Sequence, residues 1–384
     1  MIKNLPLFSI GFRPFFILAA FIAMINPLLW ILDYLGHFDL ILNTSSLFWH
    51  GHEMIFGFTG ALIAGFILTA SSNWTGTLPY KGSFLIGLTV LWLVERISYF
   101  IPLPNTVHFI LMNMFFPILT IMLGVQLWKF PKQRNVFIPI LVGLTVGKLL
   151  HSGGYLFSQQ ALELSAKDMS LALIRLLVLL LAGRVIPFFT TKKIKGLEVN
   201  VPAWLNRLAL TPLILLALPW PGSTPVLLIS LLLAWALASN LLRFCLWKPH
   251  KTIKVPILFI LNIGAIIILL SMLQELIGLF NDRVFITKAT LHLLMAGGLG
   301  IISIGIMTRV SLGHTGRTIV ADKWIQLSYI SIIIGALIRS WVPIFYFEQY
   351  ATSLYPAVLL WTLGFAIFLI RFVVILITPR PDET

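Results

Sequence analysis

Apolar runs of about twenty residues follow one another along the whole chain, and no other feature limits its fold so strongly. A helix rises 1.5 Å per residue, so each run matches the ~30 Å hydrocarbon core of a bilayer. Lipid offers backbone N–H and C=O groups no partner, so crossing segments must satisfy them internally, as helices. Windows of that length place twelve spans. The first six lie near Phe15–Leu35, His52–Ser71, Ser83–Ile101, Val107–Leu127, Val136–Phe157 and Met169–Phe189. The second six lie near Leu205–Pro219, Pro225–Trp247, Val255–Phe280, Phe285–Thr308, Trp324–Phe345 and Leu354–Thr378. Pro212 and Pro219 make the seventh the weakest. The expected class is all-α: a polytopic membrane helix bundle of about twelve transmembrane helices. No linker exceeds about fifteen residues, so one domain over residues 1–384 is expected. The two halves show no convincing repeat when the sequence is read alone.

Charge supports this reading and orients it. Only 10% of the residues are charged, against about 25% in soluble domains, which excludes a soluble fold. A net charge of +14 would suit nucleic acid, but the basic residues gather in alternate short loops. Lys3 and Arg13 precede the first span, Lys81 follows the second, and Lys129, Lys132 and Arg134 follow the fourth. Lys192, Lys193, Lys195 and Arg207 follow the sixth, and Lys248, Lys251 and Lys254 the eighth. Arg309, Arg317 and Lys323 follow the tenth, and Arg380 closes the chain. The other loops carry little beyond Lys167, Arg283 and Lys288. That alternation places both termini in the cytoplasm. The lipid bilayer, not nucleic acid, is the partner the charge serves. The first apolar run lacks a small-residue cleavage site, so no cleavable signal is expected. Cys245 is the single cysteine, which excludes an internal disulfide, a CxxC pair and the CxxCH haem attachment.

Topology assigns depth to the polar residues inside the spans, where an ionisable group costs several kcal/mol (roughly 2.5–3.5 on insertion scales). His50, His52 and Glu53 stand at the outer end of span two, and Glu95 and Arg96 at the outer end of span three. Lys148 and His151 fall in the outer half of span five, Arg175 early in span six, His292 about two turns into span ten and Arg339 in the outer half of span eleven. Several spans therefore put a histidine or a cation in one layer about 10 Å thick. Charges at such depth face the bundle interior and one another. Imidazole is the commonest protein ligand for haem iron and copper, so a buried metal or haem site is the leading inference.

Each residue also has a plainer reading. His50 and His52 are about 200° apart on a helix and cannot both face one metal if both are helical. His151 shares a face with Tyr155, four residues on. Lys148, Arg175 and Arg339 either neutralise Glu53 and Glu95 or clasp haem propionates. Glu53 either moves protons or only holds His52. His37, His108 and His250 fall in or beside loops and are expected to be solvated. Gly57, Ala61 and Gly65 in span two, and Ala296, Gly297, Gly298, Gly300 and Gly305 in span ten, permit close helix approach or the approach of a flat porphyrin; packing alone is the plainer reading. The segment from Met307 to Arg317 reads as a basic, Gly-punctuated turn or as an anion clamp, with His314 a second-site ligand.

The chain resembles the NnrS family, membrane proteins associated with haem, copper and the bacterial response to nitric oxide. The matching residues are Gly11-Phe12-Arg13-Pro14-Phe15-Phe16 and Trp49-His50-Gly51-His52-Glu53-Met54 with Phe56-Gly57. Further matches are Leu68-Thr69-Ala70 through Asn73-Trp74-Thr75-Gly76, Gly183-Arg184-Val185-Ile186-Pro187-Phe188-Phe189-Thr190, and Met307 through Arg317. Ser72 stands where the family has proline before Asn73. The resemblance implies a twelve-span bundle of the bacterial inner membrane holding haem b, with copper as a second candidate cofactor. It implies His50, His52, His292 and His314 as metal ligands, nitric oxide as ligand, and an unidentified electron donor. Two other functions stand beside it: a nitric oxide reductase resembling the haem–copper oxidases, and a transporter of haem, metal or a small solute.

Overall fold

The structure, a computed structural model, describes residues 5–221, 223–281 and 284–381. Lys3 and Arg283, counted above among the loop charges, lie outside the described residues. Eleven helices among the described residues are long and apolar enough to cross a membrane. In chain order they are α1 (Phe12–Tyr34), α2 (Ser46–Thr75), α3 (Ser83–Phe100), α4 (Asn105–Leu127), α5 (Pro131–Leu156) and α6 (Gln160–Lys193). A short apolar helix, α7 (Ala203–Leu216), comes next. Then follow α8 (Val226–Leu246), α9 (Pro256–Gly278), α10 (Ile286–His314), α11 (Lys323–Phe345) and α12 (Phe347–Ile377). The protein is thus an all-helical polytopic membrane protein. The count differs from the twelve expected at one place. The fourteen residues of α7 rise only about 21 Å, short of the ~30 Å core.

Local chemistry sets the helix ends. The Ser45 side chain accepts from the Phe48 amide at 3.3 Å and starts α2, six residues earlier than the hydrophobic pattern alone suggests. Gly76, at φ 69°, ends it in the left-handed conformation that glycine adopts without strain. Helix α6 outruns its apolar window at both ends, because polar residues from Gln160 to Asp168 continue the helix beyond the hydrocarbon.

The chain divides into two compact units. Unit 1 comprises Met1–Ser170, Val310–Thr318 and Phe365–Thr384; unit 2 comprises Leu171–Arg309 and Ile319–Gly364. In unit 1, α1 lies along α2, and α4 packs on both α2 and α5. In unit 2, α9 lies along α10, and α10 packs on α11.

Helices α2 and α10 are the two most deeply buried of the spans, and both are interrupted by a π-helical segment. The segments run over Glu53–Phe58 and Leu293–Leu299, each directly after a histidine, His52 or His292. A residue shift of 240 superposes the two sequences, with identity at His52 and His292, Gly57 and Gly297, Gly60 and Gly300, and Gly65 and Gly305. Identity continues at Ser71 and Ser311, Thr75 and Thr315, and Gly76 and Gly316. The ends match in detail: Thr75 donates to the Ser71 carbonyl at 2.7 Å and Thr315 to the Ser311 carbonyl at 2.6 Å. Gly76 and Gly316 both have positive φ, 69° and 71°. The chain therefore contains an internal repeat, which the sequence read alone does not reveal.

Protein side chains, not open space, meet the glycine stripes. A Cβ at Gly60 would stand 2.9 Å from the Phe116 ring, and one at Gly65 2.7 Å from Phe16. In unit 2, a Cβ at Gly300 would stand 2.5 Å from Trp361, and one at Gly305 2.7 Å from Leu261. The stripes serve helix packing.

Candidate functional site

The polar residues expected in one layer of unit 1 do converge. The Glu53 carboxylate, fully buried, accepts from Arg96 Nε at 2.8 Å. Arg96 Nη1 donates to Glu95 Oε2 at 2.7 Å, and Lys148 Nζ donates to the same oxygen at 2.6 Å. The other oxygen of Glu95 accepts the Phe115 amide at 2.7 Å, capping the second part of α4, where a carboxylate suits the freed N–H groups. Two carboxylates and two cations, all buried, thus close a neutral network across α2, α3 and α5. Such a network meets the condition under which charges survive in a low dielectric: each is paired and hydrogen-bonded.

The π segment makes room for this network. A Cβ on Gly57 would lie 2.5 Å from Glu53 Oε2 and 2.9 Å from Arg96 Nη2, so only glycine admits the ion pair. The π register also misaligns backbone carbonyls, and side chains take them up. Thr59 Oγ1 donates to the Met54 carbonyl at 3.1 Å and the Trp92 indole to the Gly57 carbonyl at 3.1 Å. The Arg96 guanidinium then lies 4.3 Å from the Trp92 ring centre, a favourable cation–π contact.

His52 sits on this network at 1% exposure. Its Nδ1 is 2.7 Å from the Tyr99 hydroxyl and 3.4 Å from Glu53 Oε1. In the Nδ1–H tautomer the imidazole donates toward Tyr99 and the Glu53 carboxylate, and its Nε2 carries the lone pair. That Nε2 is buried and has no partner. His151 of α5 lies beside it, the ring centres 5.9 Å apart and the planes within 9°. The His151 Nδ1 donates to the Glu163 carbonyl at 3.1 Å, which leaves its Nε2 lone pair available as well. Two imidazoles from different helices are thus held by their Nδ1 atoms and offer Nε2, the arrangement that metal-ligating histidines adopt.

The remaining expected residues separate. His50 turns to α1: its Nδ1 is 2.8 Å from Asn26 Oδ1 and its ring stacks on Trp30 at 4.6 Å. Both histidines are helical, and the ~200° between them sends them apart as the geometry requires. His314 packs against Phe12 at 5.6 Å, at the start of α1. Asn26, beside His50, is fourteen residues further along that helix, about 21 Å, so His314 does not join the His52 cluster. In unit 2, His292 Nδ1 donates to the Lys288 carbonyl at 2.8 Å. Arg175 pairs with Glu275, and the Arg339 guanidinium lies 5.6 Å from the Tyr350 ring centre. Lys148 thus pairs with Glu95, one of the two glutamates expected for it, while Arg175 pairs with Glu275, a partner the sequence reading did not name.

His108 corrects an expectation. It is fully buried, not solvated, and its ring meets the Tyr99 ring edge-on at 5.1 Å. Its Nδ1 lies 3.1 Å from Asn43 Nδ2, and the same amide donates to the Leu103 carbonyl. Nδ1 is then the acceptor and Nε2 carries the proton, so His108 is not poised as a ligand. Tyr99, touching both His52 and His108, was absent from the sequence candidates; its place two turns beyond Trp92 on the face of Glu95 and Arg96 was the available signal. Tyr155 accepts the Ser45 amide at 2.7 Å and stacks on Phe48 with His151. It shares the His151 face, as its spacing predicts.

Other motif residues hold the fold. The Phe12 amide donates to Thr69 Oγ1 at 3.0 Å. Arg13 donates to the carbonyls of Leu376 and Thr378 at 3.0 and 2.6 Å, satisfying the last turn of α12. Among the described residues, no group of three or more His, Cys, Asp or Glu side chains gathers to hold a bare metal ion.

These features define a polytopic membrane protein with a buried histidine and ion-pair cluster at the head of a π-interrupted helix. The sequence profile described as NnrS protein matches residues 6–380, and the chain belongs to the NnrS family. Membership makes it, in general terms, a membrane protein of the nitric oxide response. No curated protein matches it.

Proposed function

We propose that the chain is a b-type haem protein of the bacterial inner membrane that binds nitric oxide and acts in protection from nitrosative stress or in denitrification. The observation that carries this reading is the buried, unpartnered Nε2 of His52 with its Nδ1 anchored. An imidazole in that state could hold a haem iron, and His151 lies beside it as a second imidazole, with ring centres 5.9 Å apart. His292, at the matching place in α10 of unit 2, donates its Nδ1 to the Lys288 carbonyl. Haem, when bound, would supply an iron that takes nitric oxide, with affinity set by the polarity around it.

The residues of the chain have distinct parts in this proposal. Tyr99 and Glu53 fix the tautomer and direction of His52. Arg96, itself paired with Glu95 beside Lys148, holds the Glu53 carboxylate in place, so Glu53 orients the imidazole rather than shuttling protons through water. Lys148 and Arg175, committed to glutamates, are poor partners for propionates. Haem needs only one or two protein imidazoles, whereas a bare copper centre draws on three or more ligands; the described clusters favour haem over copper. The same ligand economy argues against a haem–copper reductase, and an electron donor is needed only if nitric oxide is turned over. The internal repeat and the two π-interrupted helices favour transport of haem, metal or a small solute as the second reading, since transporters are commonly built from repeats with irregular helices at the site. Uptake into proteoliposomes tests that alternative.

Optical and EPR spectra of purified protein, with and without nitric oxide, test the first. Wild type is expected to show a b-type spectrum that shifts with nitric oxide. His52→Ala is expected to lower haem occupancy severalfold while the protein still inserts, and His292→Ala to lower it as well. Full haem retention in both variants removes these histidines as ligands.

A further inference from the structure

Six cationic side chains are buried among the described residues: Arg13, Arg96, Lys148, Arg175, Arg243 and Arg309. Five have acceptors. Arg13 meets carbonyls, Arg96 and Lys148 share two glutamates, and Arg175 has Glu275. Arg243 donates to Asn240 Oδ1 at 3.2 Å and the Leu179 carbonyl at 3.1 Å. Arg309 of α10, in unit 2, has none. It is 8% exposed, and its buried Nε and Nη1 make no hydrogen bond. Its guanidinium lies 3.8 Å from the ring centre of Phe189 on α6. The Tyr329 hydroxyl of α11, also buried, lies beside Thr308 and Arg309.

Leaving such a group unpaired costs several kcal/mol. A lysine could escape by losing its proton; arginine stays charged in proteins. The stacked ring covers one face of the guanidinium and cannot accept in the plane where its N–H bonds point. An anion from outside the chain is therefore the missing partner, and a planar guanidinium suits an oxyanion. The surroundings select phosphate chemistry. Arg309 stands five residues before the end of α10, about 7.5 Å at helical rise. The exposed Lys192 and Lys193 follow Phe189 at the end of α6. That places it at the level where the positive-inside pattern puts the cytoplasmic headgroups.

We infer that Arg309, with Tyr329 as hydrogen-bond donor and Phe189 as stacking floor, binds a phosphate oxyanion, supplied by an anionic lipid headgroup or by free inorganic phosphate. This site is independent of the haem reading. The test uses the full chain in nanodiscs and reads thermal stability. One arm titrates inorganic phosphate into phosphatidylcholine discs; the other compares phosphatidylglycerol with phosphatidylcholine discs without phosphate. Wild type is stabilised in at least one arm, and that arm identifies the source. Arg309→Gln weakens the response about tenfold or more, the loss of one charge-assisted contact. Arg309→Lys, which keeps the charge and guards against a folding defect, retains a weakened response, and Tyr329→Phe reduces it severalfold. A wild type indifferent to both probes, or an Arg309→Gln protein that responds as wild type does, overturns the site.

Discussion

Helices α2 and α10 are two copies of one device put to unequal use. Both carry a histidine, then a π segment, then glycines at matching positions, and both close on a Thr-Gly cap. Their surroundings diverge. Where unit 1 has Glu53, Glu95, Arg96 and Tyr99, the positions 240 residues on hold Leu293, Gly335, Ala336 and Arg339. The π segment and the glycines are therefore the shared frame, and the ion-pair network is an addition to one copy. π segments are rare and concentrate at functional sites. Here one has been elaborated into a buried polar centre, while its counterpart keeps a single histidine bonded to its own helix. The difference places the buried charge network in unit 1.

The sharpest way to break that comparison is to remove one carboxylate from each unit. Glu95→Gln leaves Lys148 and Arg96 short of a charge partner in a fully buried setting. It is expected to cost about 3–5 kcal/mol of stability. Glu275→Gln, in unit 2, removes the partner of Arg175, but Glu275 is 34% exposed. Water screens that pair, and the expected cost is about 1 kcal/mol or less. Thermal or denaturant unfolding in detergent measures both. Equal costs would show that the unit 1 network is no more committed than an interfacial ion pair.

A smaller effect separates the two π segments. Gly57→Ala drives a methyl group into the Glu53–Arg96 pair, whereas Gly297→Ala meets the Cγ2 methyl of Ile267, at 2.6 Å. Overpacking costs about 1–3 kcal/mol. Gly57→Ala is expected at the upper end, with a change at His52 through Glu53, and Gly297→Ala at the lower end with none. A spectrum sensitive to the His52 environment distinguishes them. If both variants lose only stability, Gly57 is a packing residue and the network does not reach His52.

The fold was legible because lipid leaves a chain few options: twenty apolar residues and a charge alternation suffice to mark spans. The one shortfall, α7, falls where Pro212 and Pro219 already weaken the pattern. The layer of polar residues was legible for the same reason, since Lys148, His151, Glu95 and Arg96 stand out in apolar runs at matching depth. Their pairing was not. Nothing local says that Arg96 reaches Glu53 while Lys148 takes Glu95; that depends on how α2, α3 and α5 approach. His108 was misread because Pro102 and Pro104 mark a turn, while Asn43, from a distant loop, closes over it. The repeat stayed hidden because its identities are sparse, and a π register is visible only in coordinates.

The smallest expected effect concerns how the paired helices begin. Helices α3 and α11 start at Ser83 and Lys323, again 240 residues apart, yet their caps differ. Asp322 accepts the Ile325 amide at 2.9 Å, a side-chain cap worth about 1 kcal/mol. Gly82, its counterpart, has φ 59° and ψ −125° and offers no side-chain cap; its amide instead donates to the Phe8 carbonyl at 2.8 Å. Asp322→Ala is expected to lower stability by about 1 kcal/mol. Gly82→Asp is expected to lower it too, because the conformation is strained for any side chain and the acquired carboxylate cannot reach the cap. A stabilised Gly82→Asp protein would mean that the two helix starts are interchangeable and that unit 1 carries no local backbone cost of its own.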